Sequence, residues 1–130
     1  MFNKAGIILY STDLNKILLV KGPTGKWSFP KGHYEGNLDD GSTEKCAIRE
    51  CYEETSLERC KYKLLKNTSN FIYKDCIFYN AMLNPGAERF VKISDLEEIL
   101  CIRWFTLEEI GKLKKANRYL REWIIQKIVN

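Results

Sequence analysis

Three glutamates, Glu50, Glu53 and Glu54, stand at i, i+3 and i+4 in the segment CAIRECYEETSL. If that segment is helical, the spacing puts all three carboxylates on one face, because residues three and four apart are neighbours on a helix surface. Like charges so placed repel and weaken an isolated helix. A divalent cation among them removes the repulsion, and hard ions such as Mg²⁺ take carboxylate oxygens while keeping waters that a phosphate can displace. The apolar spacing supports a helix from about Ser42 to Ser56, with Ala47, Cys51 and Tyr52 as candidates for the core. The other reading of the glutamates is a solvated acidic face paired with lysines.

The rest of the chain supplies strands for such a helix to pack on. Ala5–Tyr10 and Lys16–Val20 are apolar runs either side of a polar turn and predict a hairpin. Gly22, Pro23 and Gly25 break the chain before a short extended piece at Trp27–Phe29. Residues 31–41 show no period. Lys61–Lys66 and Phe71–Leu83 predict two further strands, the second long, and Phe90–Ile93 a short one. A strand over Leu100–Phe105 leads into Thr106-x-x-Glu109, a capping box that starts a short helix. A last helix is expected from about Lys115 to Val129, with Ala116, Leu120, Trp123, Ile124 and Ile128 as its apolar stripe. Strands mixed with three helices indicate an α/β fold, a sheet covered by helices on its faces.

With 130 residues the chain suits one domain. Its net charge of +4 is compatible with a polyanionic ligand and equally with ordinary solubility. Five cysteines without a C-x-x-C pair argue for reduced thiols in a cytoplasmic protein rather than a disulfide frame or a zinc site. The single histidine, His33, argues against a histidine-based metal site or triad. No apolar run reaches membrane-spanning length, so a membrane partner is not expected.

WSFPKG (Trp27–Gly32) followed by RECYEETSL (Arg49–Leu57) resembles the Nudix box, G-x5-E-x7-R-E-U-x-E-E-x-G-U, where U is aliphatic. Gly32, Arg49, Glu50, Glu53, Glu54 and Leu57 match. The resemblance spans essentially the whole chain and implies one Nudix hydrolase domain over residues 1–130, an α/β/α sandwich with a mixed central sheet. It also shows departures. Sixteen residues, not thirteen, separate Gly32 from Arg49, and Gly41 stands where the first box glutamate belongs. Glu35, Asp39, Asp40 and Glu44 are nearby substitutes for it. Ser56 replaces the later glycine and Cys51 the aliphatic residue.

The resemblance implies that Glu50, Glu53 and Glu54 carry Mg²⁺ or Mn²⁺, with the Gly32 carbonyl completing the site. It assigns Arg49 to orienting a neighbouring carboxylate through a fork-like pair. Glu53, Glu54, Glu98 and Arg49 are the expected catalytic set. Glu98, six residues before Trp104, is the expected general base or further ligand, with Glu97 as its off-by-one rival. Lys31 beside the site is a candidate for phosphate contact, against a surface role for His33. Trp27, Trp104 and Trp123 lie in apolar patterns and are expected in the core rather than as stacking platforms.

Within the family the wording is most similar to the mRNA-decapping branch, which implies a nucleotide or capped-RNA substrate and an RNA or ribonucleoprotein partner. In that branch the closing helix helps bind RNA. Here Lys112, Lys114, Lys115, Arg118 and Arg121 on and before that helix make a basic stripe suited to a phosphate backbone, with Lys115 and Arg118 the foremost substrate-binding candidates. Decapping enzymes of that branch carry a preceding helical domain, and this sequence begins almost at the first strand. Diadenosine-tetraphosphate hydrolases share the PKGH wording (Pro30–His33) and give the second expectation, a small-nucleotide hydrolase. The third is a Nudix fold kept as an RNA- or ribosome-binding module.

Overall fold

The structure, a computed structural model, describes residues 2–129. The expected hairpin is strand β1 (Lys4–Ser11) and strand β2 (Lys16–Lys21), paired antiparallel through Tyr10↔Ile17 and Ser11↔Lys16. Its turn closes with Asn15 at φ 54°, a left-handed conformation that Asn tolerates better than most residues. Strand β3 (Trp27–Ser28) adds to β2. Strand β4 (Lys31–His33) pairs with the start of β1, Ala5 opposite Gly32.

A single helical turn, α1 (Gly36–Asp39), precedes the glutamate helix α2 (Thr43–Thr55). Strands β5 (Tyr62–Leu64), β6 (Phe71–Tyr73), β7 (Cys76–Leu83) and β8 (Cys101–Phe105) follow. Helix α3 (Leu107–Gly111) and helix α4 (Arg118–Ile124) close the fold, the latter running on as a π turn over Ile125–Val129.

β1 organises the sheet. One edge runs parallel to β7 from Lys4↔Cys76 to Tyr10↔Met82. The other edge forks: its end pairs with β2, and its beginning pairs with β4. β4 can come this close because residue 6 is glycine. A Cβ there would lie 2.4 Å from the Pro30 carbonyl and 2.7 Å from Lys31 Cβ. Antiparallel β2–β8 and parallel β1–β7 contacts make the sheet mixed.

Strand alternation sends side chains to two cores. Ala5, Ile7, Leu9 and Leu18 meet Cys46, Ala47 and Cys51 of α2 on one face. Ile8, Ile17 and Leu19 meet Ile110, Leu120, Trp123 and Ile124 of the closing helices on the other, with Phe29, Phe78 and Phe105 between. This is the expected α/β/α sandwich. Trp27 and Trp123 are buried in it, and the half-buried Trp104 packs on the α2 side. No described helix is long and apolar enough to cross a membrane.

Several expectations are corrected. Residues 31–41 are not irregular throughout but hold β4 and α1. The long strand over Phe71–Leu83 is a hairpin, broken at Lys74–Asp75 where Lys74 takes φ 53°. Phe90–Ile93 is no strand; Ala87–Phe90 forms a 3-10 turn and the chain then runs irregularly. The closing helix starts at Arg118, capped by the Asn117 side chain on Leu120 N (2.9 Å). Lys115 and Ala116 are bridged to Trp27 instead, with Trp27 N donating to the Lys115 carbonyl at 2.8 Å. Tyr52, a core candidate, is 52% exposed. All five cysteines are free; Cys46, Cys51 and Cys76 are buried, whereas Cys60 is exposed.

Candidate functional site

Helix α2 aims its charged face at the β1–β4 fork. Its start is fixed by the Ser42 hydroxyl, which accepts from Lys45 N. Its apolar stripe, Cys46, Ala47 and Cys51, is clamped to the sheet, so Glu50, Glu53 and Glu54 have no freedom to rotate as a set.

Arg49 is the hub. Its Nε donates to Asp39 Oδ1 (2.8 Å) and its Nη2 to Asp39 Oδ2 (3.0 Å), the two-pronged geometry a guanidinium gives a carboxylate. Nη2 also donates to the His33 carbonyl (2.9 Å). Nη1 donates to both Glu50 Oε2 and Glu53 Oε2, each at 2.9 Å. Asp39 is fully buried and accepts from Glu35 N (2.7 Å) as well. The Arg49 guanidinium holds the Asp39 carboxyl below its usual range.

Of the four candidates near the missing loop glutamate, Asp39 therefore meets Arg49 bidentately. Glu35 lies 3.5 Å from Arg49 Nη1 and lines the pocket beside the glutamates. Asp40 and Glu44 point away, to the surface lysines Lys45 and Lys66.

Gly32 faces Glu50. A Cβ at residue 32 would lie 2.0–2.4 Å from the Glu50 carboxylate, so only glycine leaves that carboxylate its place. The Gly32 carbonyl is met by Cys46 Sγ at 3.8 Å. Burial pushes the Glu50 carboxyl up, helped by the Glu53 charge and opposed by Arg49. Burial pushes Glu54 up to about 8, against the Lys31 backbone N–H, which donates to Glu54 Oε1 at 3.3 Å.

These groups wall a cavity of about 350 Å³, lined by Lys31, Gly32, His33, Glu35, Glu50, Glu53, Glu54 and Glu98. Five carboxylates thus share one pocket with a single lysine. The loop between β7 and β8 brings Glu98 there; Glu97 lines only the neighbouring groove. Ser56 holds that loop to α2. It takes φ 66°, the left-handed position the box gives to glycine, and its hydroxyl contacts Ser94 Oγ and donates to the Lys92 carbonyl.

The donor set is all hard oxygen, and its five carboxylates outnumber the two cations against them, Arg49 and Lys31, which fits a divalent cation. In the arrangement seen, no three such side chains among the described residues converge on one point: Glu50 and Glu53 turn to Arg49, Glu54 to Lys31.

The structure thus brings together Lys31, Gly32, Glu50, Glu53, Glu54 and Glu98, with Arg49 behind them. It does not bring Lys115 or Arg118 to either cavity of the site. Arg118 instead donates to the Tyr119 hydroxyl (2.9 Å). What sequence reasoning missed is a groove of about 380 Å³ that shares Lys31, Glu54 and Glu98 with the acidic pocket and runs along Gly22, Lys26, Ser28, Ile99 and Asn117. Its walls come from four separate segments, and no sequence pattern joins them.

The NUDIX domain family matches residues 2–126. The mRNA decapping complex subunit 2 of Schizosaccharomyces pombe is 32% identical over 116 residues, 85% of this chain; the chain spans only 15% of that relative's length. A C. elegans Ap4A hydrolase in a binary complex superimposes with a TM-score of 0.70 at 25% identity, covering 95% of this chain and 96% of the hydrolase. The NUDIX domain of Shewanella oneidensis NrtR, solved with ADP ribose, shares the fold with a TM-score of 0.68 at 20% identity, covering 94% of this chain and 83% of that one. Nudix enzymes generally need divalent metal ions. The forked mixed sheet, the arginine-braced glutamate helix and the family match lead to one conclusion: the chain belongs to the Nudix domain family.

Proposed function

We propose that the chain hydrolyses a phosphoanhydride in a nucleoside-diphosphate-linked substrate with the help of Mg²⁺ or Mn²⁺, and that this substrate is the 5′ cap of mRNA. The observation that carries the chemistry is the gathering of five carboxylates around one pocket, with only Lys31 in its wall and Arg49 behind it to offset them. Glu50, Glu53 and Glu54 would hold the cation. When bound, a divalent ion neutralises phosphate charge and makes attack by water possible at neutral pH.

The chain's own residues do the rest. Arg49 positions Glu50 and Glu53 through one nitrogen and is itself held by Asp39. Gly32 leaves Glu50 its place. Glu98, which lines the same pocket, takes the proton of the attacking water as general base. Lys31 faces both cavities and meets phosphate oxygens. The adjoining groove receives the leaving part of the substrate.

The cap reading is supported by the 32% identity to a decapping subunit. Near-complete mutual coverage with an Ap4A hydrolase favours a second reading, hydrolysis of free dinucleoside polyphosphates. One experiment separates them: hydrolysis of capped RNA and of diadenosine tetraphosphate with Mg²⁺ or Mn²⁺, comparing kcat/KM. The cap reading expects release of 7-methyl-GDP and faster turnover of capped RNA. No release at any metal concentration refutes it, and faster turnover of the free dinucleotide selects the second reading.

A further inference from the structure

A separate cleft of about 440 Å³ opens beside the C-terminal end of α2 and shares no residue with the acidic pocket. Two aromatic rings line it: Tyr52, 52% exposed, and Phe90, 39% exposed. Neither ring completes a core, and rings left open to water are a common mark of a binding surface. Arg89 and Lys92 line the same cleft. The Arg89 guanidinium lies 4.8 Å from the Phe90 ring centre and Lys61 Nζ 4.0 Å from it. Among the described residues, none of these three cations has an ion-pair partner. The only acidic residue in the cleft wall is Glu58.

We propose that this cleft binds single-stranded RNA, with a base stacked on Tyr52 and the adjacent phosphates held by Lys92 and by Arg89 and Lys61, the two cations seated over the Phe90 ring. Aromatic platforms beside cations hold single strands in this way without reading sequence, since every base has a π-face. An acidic side chain would satisfy the cations but brings no flat ring to stack on Tyr52, which a nucleotide supplies together with its phosphate. The volume is in the range of small-ligand sites. The chain also links the cleft to the proposed reaction site. Lys92 and Ser94 line the cleft, Glu98 lines the acidic pocket, and one loop carries all three. The binding itself does not depend on the hydrolytic reading.

The test is fluorescence anisotropy with a short, uncapped, fluorescein-labelled oligouridylate and the whole chain, with EDTA present so that hydrolysis plays no part. Tyr52→Ala should weaken binding about tenfold, and Phe90→Ala, which unseats Lys61 and Arg89, by a smaller factor. Lys92→Glu should weaken it and flatten its dependence on salt, because fewer counterions are released. Lys115→Glu and Arg118→Glu should leave it unchanged. Melting curves establish that the variants fold; Lys92→Glu, a surface change, decides the matter if an aromatic variant melts early. Unchanged binding in these cleft variants overturns the proposal. So does loss confined to Arg118→Glu, or equal binding of a labelled polyglutamate. If the protein binds the oligonucleotide through this cleft yet hydrolyses nothing, the hydrolytic reading fails and this one stands.

Discussion

Replacing Asp39 removes three hydrogen bonds at once: two from Arg49, at 2.8 and 3.0 Å, and one from Glu35 N at 2.7 Å. The Asp39 side chain is 1% exposed and that of Arg49 16%, so water does not replace what is lost. Breaking a buried ion pair by deleting one partner costs about 3–5 kcal/mol. Arg49 keeps Glu50, Glu53 and the His33 carbonyl as acceptors, which places Asp39→Ala near the lower end, about 3 kcal/mol. For a chain of 130 residues that is a fall in Tm of roughly 10 °C.

Asp39→Asn should cost nearly as much. Both Asp39 oxygens accept, and an amide offers only one acceptor oxygen. Asp40→Asn is the control; its ion pair with Lys45 is long and exposed, and the change should stay within about 0.5 kcal/mol.

The pH dependence has a definite sign. The Asp39 carboxyl is held below its ordinary value of 3.8, first by the Arg49 hydrogen bonds, so the folded state binds that proton less readily than the unfolded chain. The stabilisation is complete above the ordinary value and fades as pH falls through the lower folded one. The gap between wild type and Asp39→Ala should be flat near neutrality and narrow below about pH 4. Urea denaturation followed by far-UV circular dichroism across that range measures both effects. A loss under about 1 kcal/mol at neutral pH, or a loss no larger than that of Asp40→Asn, would refute the reasoning.

Gly32→Ala should fold, since the clash is with a movable side chain, but it must displace the Glu50 carboxylate. We expect a stability cost of about 1–3 kcal/mol together with a collapse of metal-dependent hydrolysis; full activity would show that Glu50 does not work from where it stands. Glu98→Gln should lower kcat by roughly 10²–10⁴ while Glu97→Gln changes it little, and equal effects would dissolve the distinction between them. Ser56→Gly relieves a left-handed serine, a strain of about 1 kcal/mol, yet deletes the tether to Lys92 and Ser94. Stability should stay nearly level while hydrogen exchange of the 91–100 amides quickens, and exchange at the wild-type rate would mean the tether holds nothing.

The sequence by itself determined everything set by periodicity and local chemistry. The i, i+3, i+4 glutamates, the capping box at Thr106 and the alternating apolar runs fix helix faces and strand faces, because each is read within a few residues of itself. The two covered faces of the sheet followed from those patterns. Tertiary structure alone decided which loop carboxylate meets Arg49. Asp39, Asp40, Glu35 and Glu44 are equivalent as letters, and only the path of the chain through β4 and α1 buries one and leaves the others to solvent or the pocket rim. It also turned Tyr52 outward, broke the Phe71–Leu83 run at Lys74 and kept Lys115 out of the closing helix. Lys115 is settled by a partner distant in the chain, Trp27, and such a partner leaves no periodic trace in the sequence.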